Sequence, residues 1–143
     1  MKKIFLLVIS LIVIVTNSLA QLELDKKAMV YMEILDRVPK ILTIETDGTV
    51  TYTETREEKR HEKIIVPKEK IESLKEFLLE NKIFEIDTWI TMGAFDEVLY
   101  EITININGKT KSIRSGRQDQ KINKIIDRIL ELSPITIEIE GFA

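Results

Sequence analysis

Leu42-Thr43-Ile44-Glu45-Thr46-Asp47-Gly48-Thr49-Val50-Thr51-Tyr52 alternates apolar and polar residues on both sides of an Asp-Gly pair. Alternation with a period of two marks a half-buried strand, and Asp-Gly between two such runs marks a hairpin. The stretch therefore predicts strands over Lys40–Thr46 and Thr49–Thr55. Its register follows from polarity. A two-residue loop would pair Ile44 with Thr51 and Leu42 with Thr53, mixing polarity on both faces. A loop of Thr46-Asp47-Gly48, with Gly48 left-handed, pairs Ile44 with Val50 and Leu42 with Tyr52. The second register gathers four apolar side chains on one face and leaves Thr43, Thr51 and Thr53 on the other, so it is preferred. It also sets Lys40 opposite Glu54, an opposite-charge pair.

A second hairpin stands further along. Val98–Ile106 and Lys109–Arg114 flank Asn107-Gly108, the preferred pair for a two-residue turn. Ile102 then faces Ile113, and Glu101 faces Arg114. Ile102, Ile104 and Ile106 share the buried side; Thr103, Asn105, Thr110 and Ser112 share the wet one. Lys109 and Lys111 fall on the apolar side and would snorkel at the sheet edge.

Between and around the hairpins, Ala28–Leu35 reads as a strand, although Met29-Val30-Tyr31-Met32 also fits one turn of helix. Ile64–Val66 suggests a short further strand. Pro67 precedes a helix running to about Asn81, with Ile71, Leu74, Phe77 and Leu78 on one stripe. Phe84 and Ile86 are expected to close the core beyond it. Thr88–Glu97 reads as a loop anchored by Trp89 and Phe95. Gln118–Leu132 is a second amphipathic helix, carrying Ile122, Ile125, Ile126, Ile129 and Leu130. After Ser133-Pro134, Ile135–Glu140 alternates strictly and predicts a last strand. The fold class is α+β: an antiparallel sheet of two hairpins plus extra strands, two amphipathic helices on one face, and a Thr-rich face toward water.

The beginning of the chain predicts export. Lys2 and Lys3 precede an apolar run from Ile4 to Val15 broken only by Ser10, and Ser18-Leu19-Ala20 supplies small residues before a cleavage point. This is the layout of a secretory signal peptide over 1–20, cleaved between Ala20 and Gln21. The run is short for a membrane span, which needs about 20 residues. Residues 21–143 then form one exported domain, periplasmic or extracellular, with no stable membrane anchor once the signal is cleaved. Losing Lys2 and Lys3 takes the formal net charge from −3 to about −5. An acidic chain is poorly suited to neutralising nucleic-acid phosphates or anionic lipid.

The residue inventory narrows the chemistry further. The 143 residues contain no cysteine and one histidine, which excludes a cysteine nucleophile, thiolate ligands and a multi-histidine zinc site within one chain. His61 lies in the mixed-charge run Arg56–Lys63 and reads as a surface residue on a loop leaving the first hairpin. Asp87, Asp96 and Glu97, in or beside the Thr88–Glu97 loop, are the candidates for a carboxylate site. No calcium-loop, nucleophile-elbow or phosphate-loop pattern occurs. Lys109, Lys111, Arg114, Arg117, Lys121, Lys124 and Arg128 make the carboxyl-terminal third locally basic, a conceivable patch for an anionic polymer. Asp119, Asp127 and Glu131 are interleaved with them, as on a solvated face.

The Leu42–Tyr52 hairpin, the Pro-led helix ending near Ile83-Phe84, the segment Ile104-Asn105-Ile106-Asn107-Gly108-Lys109-Thr110-Lys111 and the final helix together resemble small exported domains of unknown function. Such domains occur in bacterial envelope proteins and lipoproteins. The resemblance spans about residues 28–132, rests on turns and strands, and implies a fold and a location without a reaction. Members often carry a cysteine pair before the second strand, where this chain has Asp36-Arg37-Val38-Pro39.

The expected function is a non-enzymatic binding or interaction domain whose partner is an unknown protein or envelope component, met through loops or the exposed sheet face. No cofactor is implied. The alternatives are a small carboxylate-dependent envelope hydrolase or lyase, and a structural subunit assembling through its C-terminal strand.

Overall fold

The computed structural model describes residues 28–55, 59–88, 98–117 and 119–139. The elements run β1 (Ala28–Leu35), β2 (Lys40–Glu45), β3 (Thr49–Glu54), β4 (Arg60–Ile65), α1 (Lys68–Glu80), a 3-10 turn (Ile83–Glu85), β5 (Leu99–Ile106), β6 (Lys109–Ser115) and α2 (Gln120–Leu130). The strands form one antiparallel sheet in the order β4-β3-β2-β1-β5-β6. The first strand in sequence is thus interior, with the two hairpins built outward from it on either side.

The β2–β3 register is the one polarity demands: Ile44 faces Val50, Leu42 faces Tyr52 and Lys40 faces Glu54. Its turn needs Gly48 twice over. Gly48 has φ +95°, and a Cβ there would lie 2.5 Å from the carbonyl oxygen of Val66, whose N–H donates to Gly48 O at 2.9 Å. The hairpin turn is thereby stapled to the chain entering α1. At the other hairpin, Asn107 and Gly108 have φ 52° and 75°, as a two-residue turn requires. Ile102 faces Ile113, and Arg114 Nε lies 2.8 Å from Glu101 Oε1.

Inward residues of the strands join Ile71, Leu74 and Leu78 of α1 and Ile122, Ile125, Ile126 and Ile129 of α2 in one core. Asp119 caps α2, its Oδ1 accepting from Ile122 N–H at 2.9 Å. Ile83 is fully buried in the 3-10 turn, inward of the half-buried Phe84. Among the described residues, no helix is long and apolar enough to cross a membrane.

Two expectations are corrected. The fourth strand starts at Arg60, so Arg60-His61-Glu62-Lys63 belongs to the sheet edge and not to a loop. Mixed charge hid it, because an edge strand with little burial lacks the apolar alternation that marks a strand. The expected strand from Ile135 is absent: 135–139 has no regular structure and pairs with no strand among the described residues. Its alternation has another cause, since Ile135 and Ile137 pack half-buried against the core while Thr136 and Glu138 stay exposed.

Candidate functional site

Strand pairing turns the outer face into transverse rows. One row crosses all six strands as Lys63, Thr51, Thr43, Tyr31, Thr103 and Ser112. The next reads His61, Thr53, Ile41, Glu33, Glu101 and Arg114. Hydroxyls tie neighbours together: Thr103 Oγ1 and Ser112 Oγ are 3.1 Å apart, and Thr53 Oγ1 lies 3.0 Å from His61 Nδ1. His61 is exposed, as expected of a surface residue, though on a strand. From Tyr31 to Thr103 and from Thr51 to Ile41 the interior positions of this face are half-exposed.

At the centre of that face Glu33 and Glu101 stand directly opposite each other on β1 and β5. Like charges across a strand pair repel, and removing such a pair is usually favourable. Arg114 engages Glu101 from β6, on the far side from Glu33. The positive groups Lys63 and Arg114 sit on the outermost strands, so the face is acidic in the middle and basic at its two margins.

The inner face carries a polar row at one end: Arg60, Glu54, Lys40, Ile34, Tyr100 and Ser115. Lys40 is 1% exposed, and its Nζ donates to Asp36 Oδ2 at 2.5 Å and to Val38 O at 3.0 Å. Tyr52 OH donates to Glu54 Oε2 at 2.7 Å. At the other side, Arg117 Nε donates to the Tyr100 hydroxyl at 3.0 Å, its guanidinium lies 5.3 Å from the ring centroid, and Nη1 meets Asp127 of α2 at 2.7 Å. Burial pushes the Tyr100 phenol up from its ordinary value, against the opposing pull of Arg117. Burial alone would lower Arg117, but hydrogen bonds to Tyr100 and Asp127 hold it above its ordinary value.

Asp87 is exposed beyond the 3-10 turn; Asp96 and Glu97, with Trp89 and Phe95, lie outside the described residues, as do Ala20 and Gln21. Three of the basic residues of the last third are paired with neighbours. Arg114 pairs with Glu101, Arg117 with Asp127, and Arg128 with Glu131 and Ser73. Among the described residues no group of three or more His, Asp and Glu side chains is placed to hold a metal ion.

Sequence reasoning found the Lys40–Glu54 pair of this row but not its continuation to Tyr100 and Ser115. Parity was the available signal: Lys40 is two residues from Leu42 and Tyr100 two from Ile102, which puts both on the buried side.

No protein-family model matches this chain, and no curated protein matches its sequence.

Proposed function

We propose that this is an exported, non-enzymatic interaction domain that binds a protein or other envelope component through the outer face of its sheet. The resemblance to small envelope domains agrees with that reading. The observation that carries it is the Glu33–Glu101 opposition in the middle of a hydroxyl-lined face. Arg114 offsets Glu101 within the fold, and the like charge that Glu33 sets against it breaks a local stability rule, which is where function is expected. The partner that complements it presents a lysine or arginine to the two carboxylates, with Tyr31, Thr43, Thr103 and Ile41 around it for contact.

The test compares wild type with Glu33→Gln, and with Thr51, Thr53 and Thr103 replaced together, as baits for a solubilised envelope fraction. Thermal unfolding is measured on the same samples. The expected result is loss of a retained component by both variants at unchanged or raised stability, with amine cross-links from that component at Lys63. Full retention by both variants would reject the sheet face and direct attention to the 88–97 segment.

A further inference from the structure

The segment after α2 is a strap. The chain leaves the helix through Leu132-Ser133-Pro134 and runs without regular structure along the inner side of the sheet, with Ile135 and Ile137 against the core. Among the described residues, its hydrogen bonding amounts to Ile135 N–H donating to Ser133 Oγ at 3.4 Å. The strap is therefore held by side chains rather than by a backbone ladder. Both its flanks are open. A concavity of about 520 Å³ lies between it and Asp127, Leu130 and Glu131 of the helix end. Another of about 350 Å³ lies between it and Lys40, Tyr52, Glu54 and Arg60.

We infer that this strap is exchangeable: its groove takes the same segment from a second copy of the chain, giving a two-fold dimer with each strap seated on the partner. Exchange preserves the contacts, because groove and segment are those that already fit in one chain. Opening breaks no strand pairing. The hinge is ready-made, since α2 is closed by its own backbone bonds (Leu132 N–H to Ile129 O, Ser133 N–H to Leu130 O) and Pro134 has no N–H to lose. One charge favours this occupant: Glu138 lines the concavity that also carries the exposed Arg60, while Lys40 there is already neutralised by Asp36.

The absence of cysteine makes the test clean. Two full-length variants are prepared, Thr136→Cys on the strap and Glu131→Cys on the groove wall; both positions are exposed. They are mixed at high concentration and mildly oxidised. Hetero-linked dimer should exceed both homo-linked forms several-fold, and adding Ile137→Asp to the strap variant should abolish that excess. A hetero-linked share no greater than random collision gives would overturn the inference. Deleting Ser133 from the otherwise native chain shortens the hinge and should raise the dimer fraction seen by light scattering. A strictly monomeric deletion variant, still folded by circular dichroism, would count equally against exchange. So would a stable assembly in which a foreign chain, not a second copy, fills the groove.

Discussion

Asp36 and Lys40, across the connection from β1 to β2, form an ion pair at 2.5 Å with both side chains sealed from solvent. Such a pair contributes little net stability, but removing the lysine leaves a buried carboxylate without this cation. Lys40→Met should destabilise the fold by about 3 kcal/mol. Adding Asp36→Asn should recover more than half, because an amide oxygen can still accept from Val38 N–H as Asp36 Oδ1 does at 3.0 Å. Urea unfolding of the single and double variants measures the coupling.

The two positive-φ glycines should respond differently to alanine. At Gly108 nothing lies within 4 Å of the added methyl, so Gly108→Ala costs only the backbone strain, about 1 kcal/mol. At Gly48 the same strain is joined by a clash with the backbone of Val66, and Gly48→Ala should cost about 3 kcal/mol. Equal losses in chemical unfolding would show that the Gly48–Val66 staple does not constrain the native state.

Tyr100 makes stability sensitive to alkali. Its folded value is raised above the ordinary 10.0, so above that pH the unfolded chain binds fewer protons than the folded one. Stability is intact below pH 10.0 and falls as pH rises through the raised folded value. Tyr100→Phe should cost about 1 kcal/mol at neutral pH by removing the acceptor of Arg117, yet should flatten the alkaline decline. Denaturant midpoints measured from neutral to alkaline pH separate the two effects.

Relief of repulsion on the outer face should be visible without any partner. Glu33→Gln removes a charge directly opposite Glu101 and should raise stability by about 0.5 kcal/mol. Lower stability would mean that Glu33 is compensated within the fold, and would remove the main support for a cationic partner.

The α+β architecture was legible because its hairpins carry two independent signals, strict alternation and Asx-Gly turns, which agree on register down to Lys40 facing Glu54. The helices were legible from their stripes. Of the fourth strand only its end at Ile64 and Ile65 was legible, because edge position leaves Arg60, His61 and Lys63 exposed and free of apolar alternation. The strap misled for the opposite reason, since lying on a core imposes the same period as belonging to a sheet. The opposition of Glu33 and Glu101 could not be read from either strand alone. It arises only when β1 meets β5, nearly seventy residues away, and local pattern carries no information about that pairing.

The interior place of β1 has a consequence for the living chain, which is made from its amino terminus. Once residue 65 has emerged, β1 to β4 can zip together through neighbouring hairpins, but one side of β1 still has no neighbour. Its Met29-Val30-Tyr31-Met32 run then offers open amide and carbonyl groups until β5 is delivered by residue 106. For the time needed to synthesise that stretch, the stickiest edge of the nascent protein is the one that ends up deepest inside it. Slow translation across α1 would lengthen that exposure and favour aggregation, while an early-binding chaperone would find its target in the first strand made.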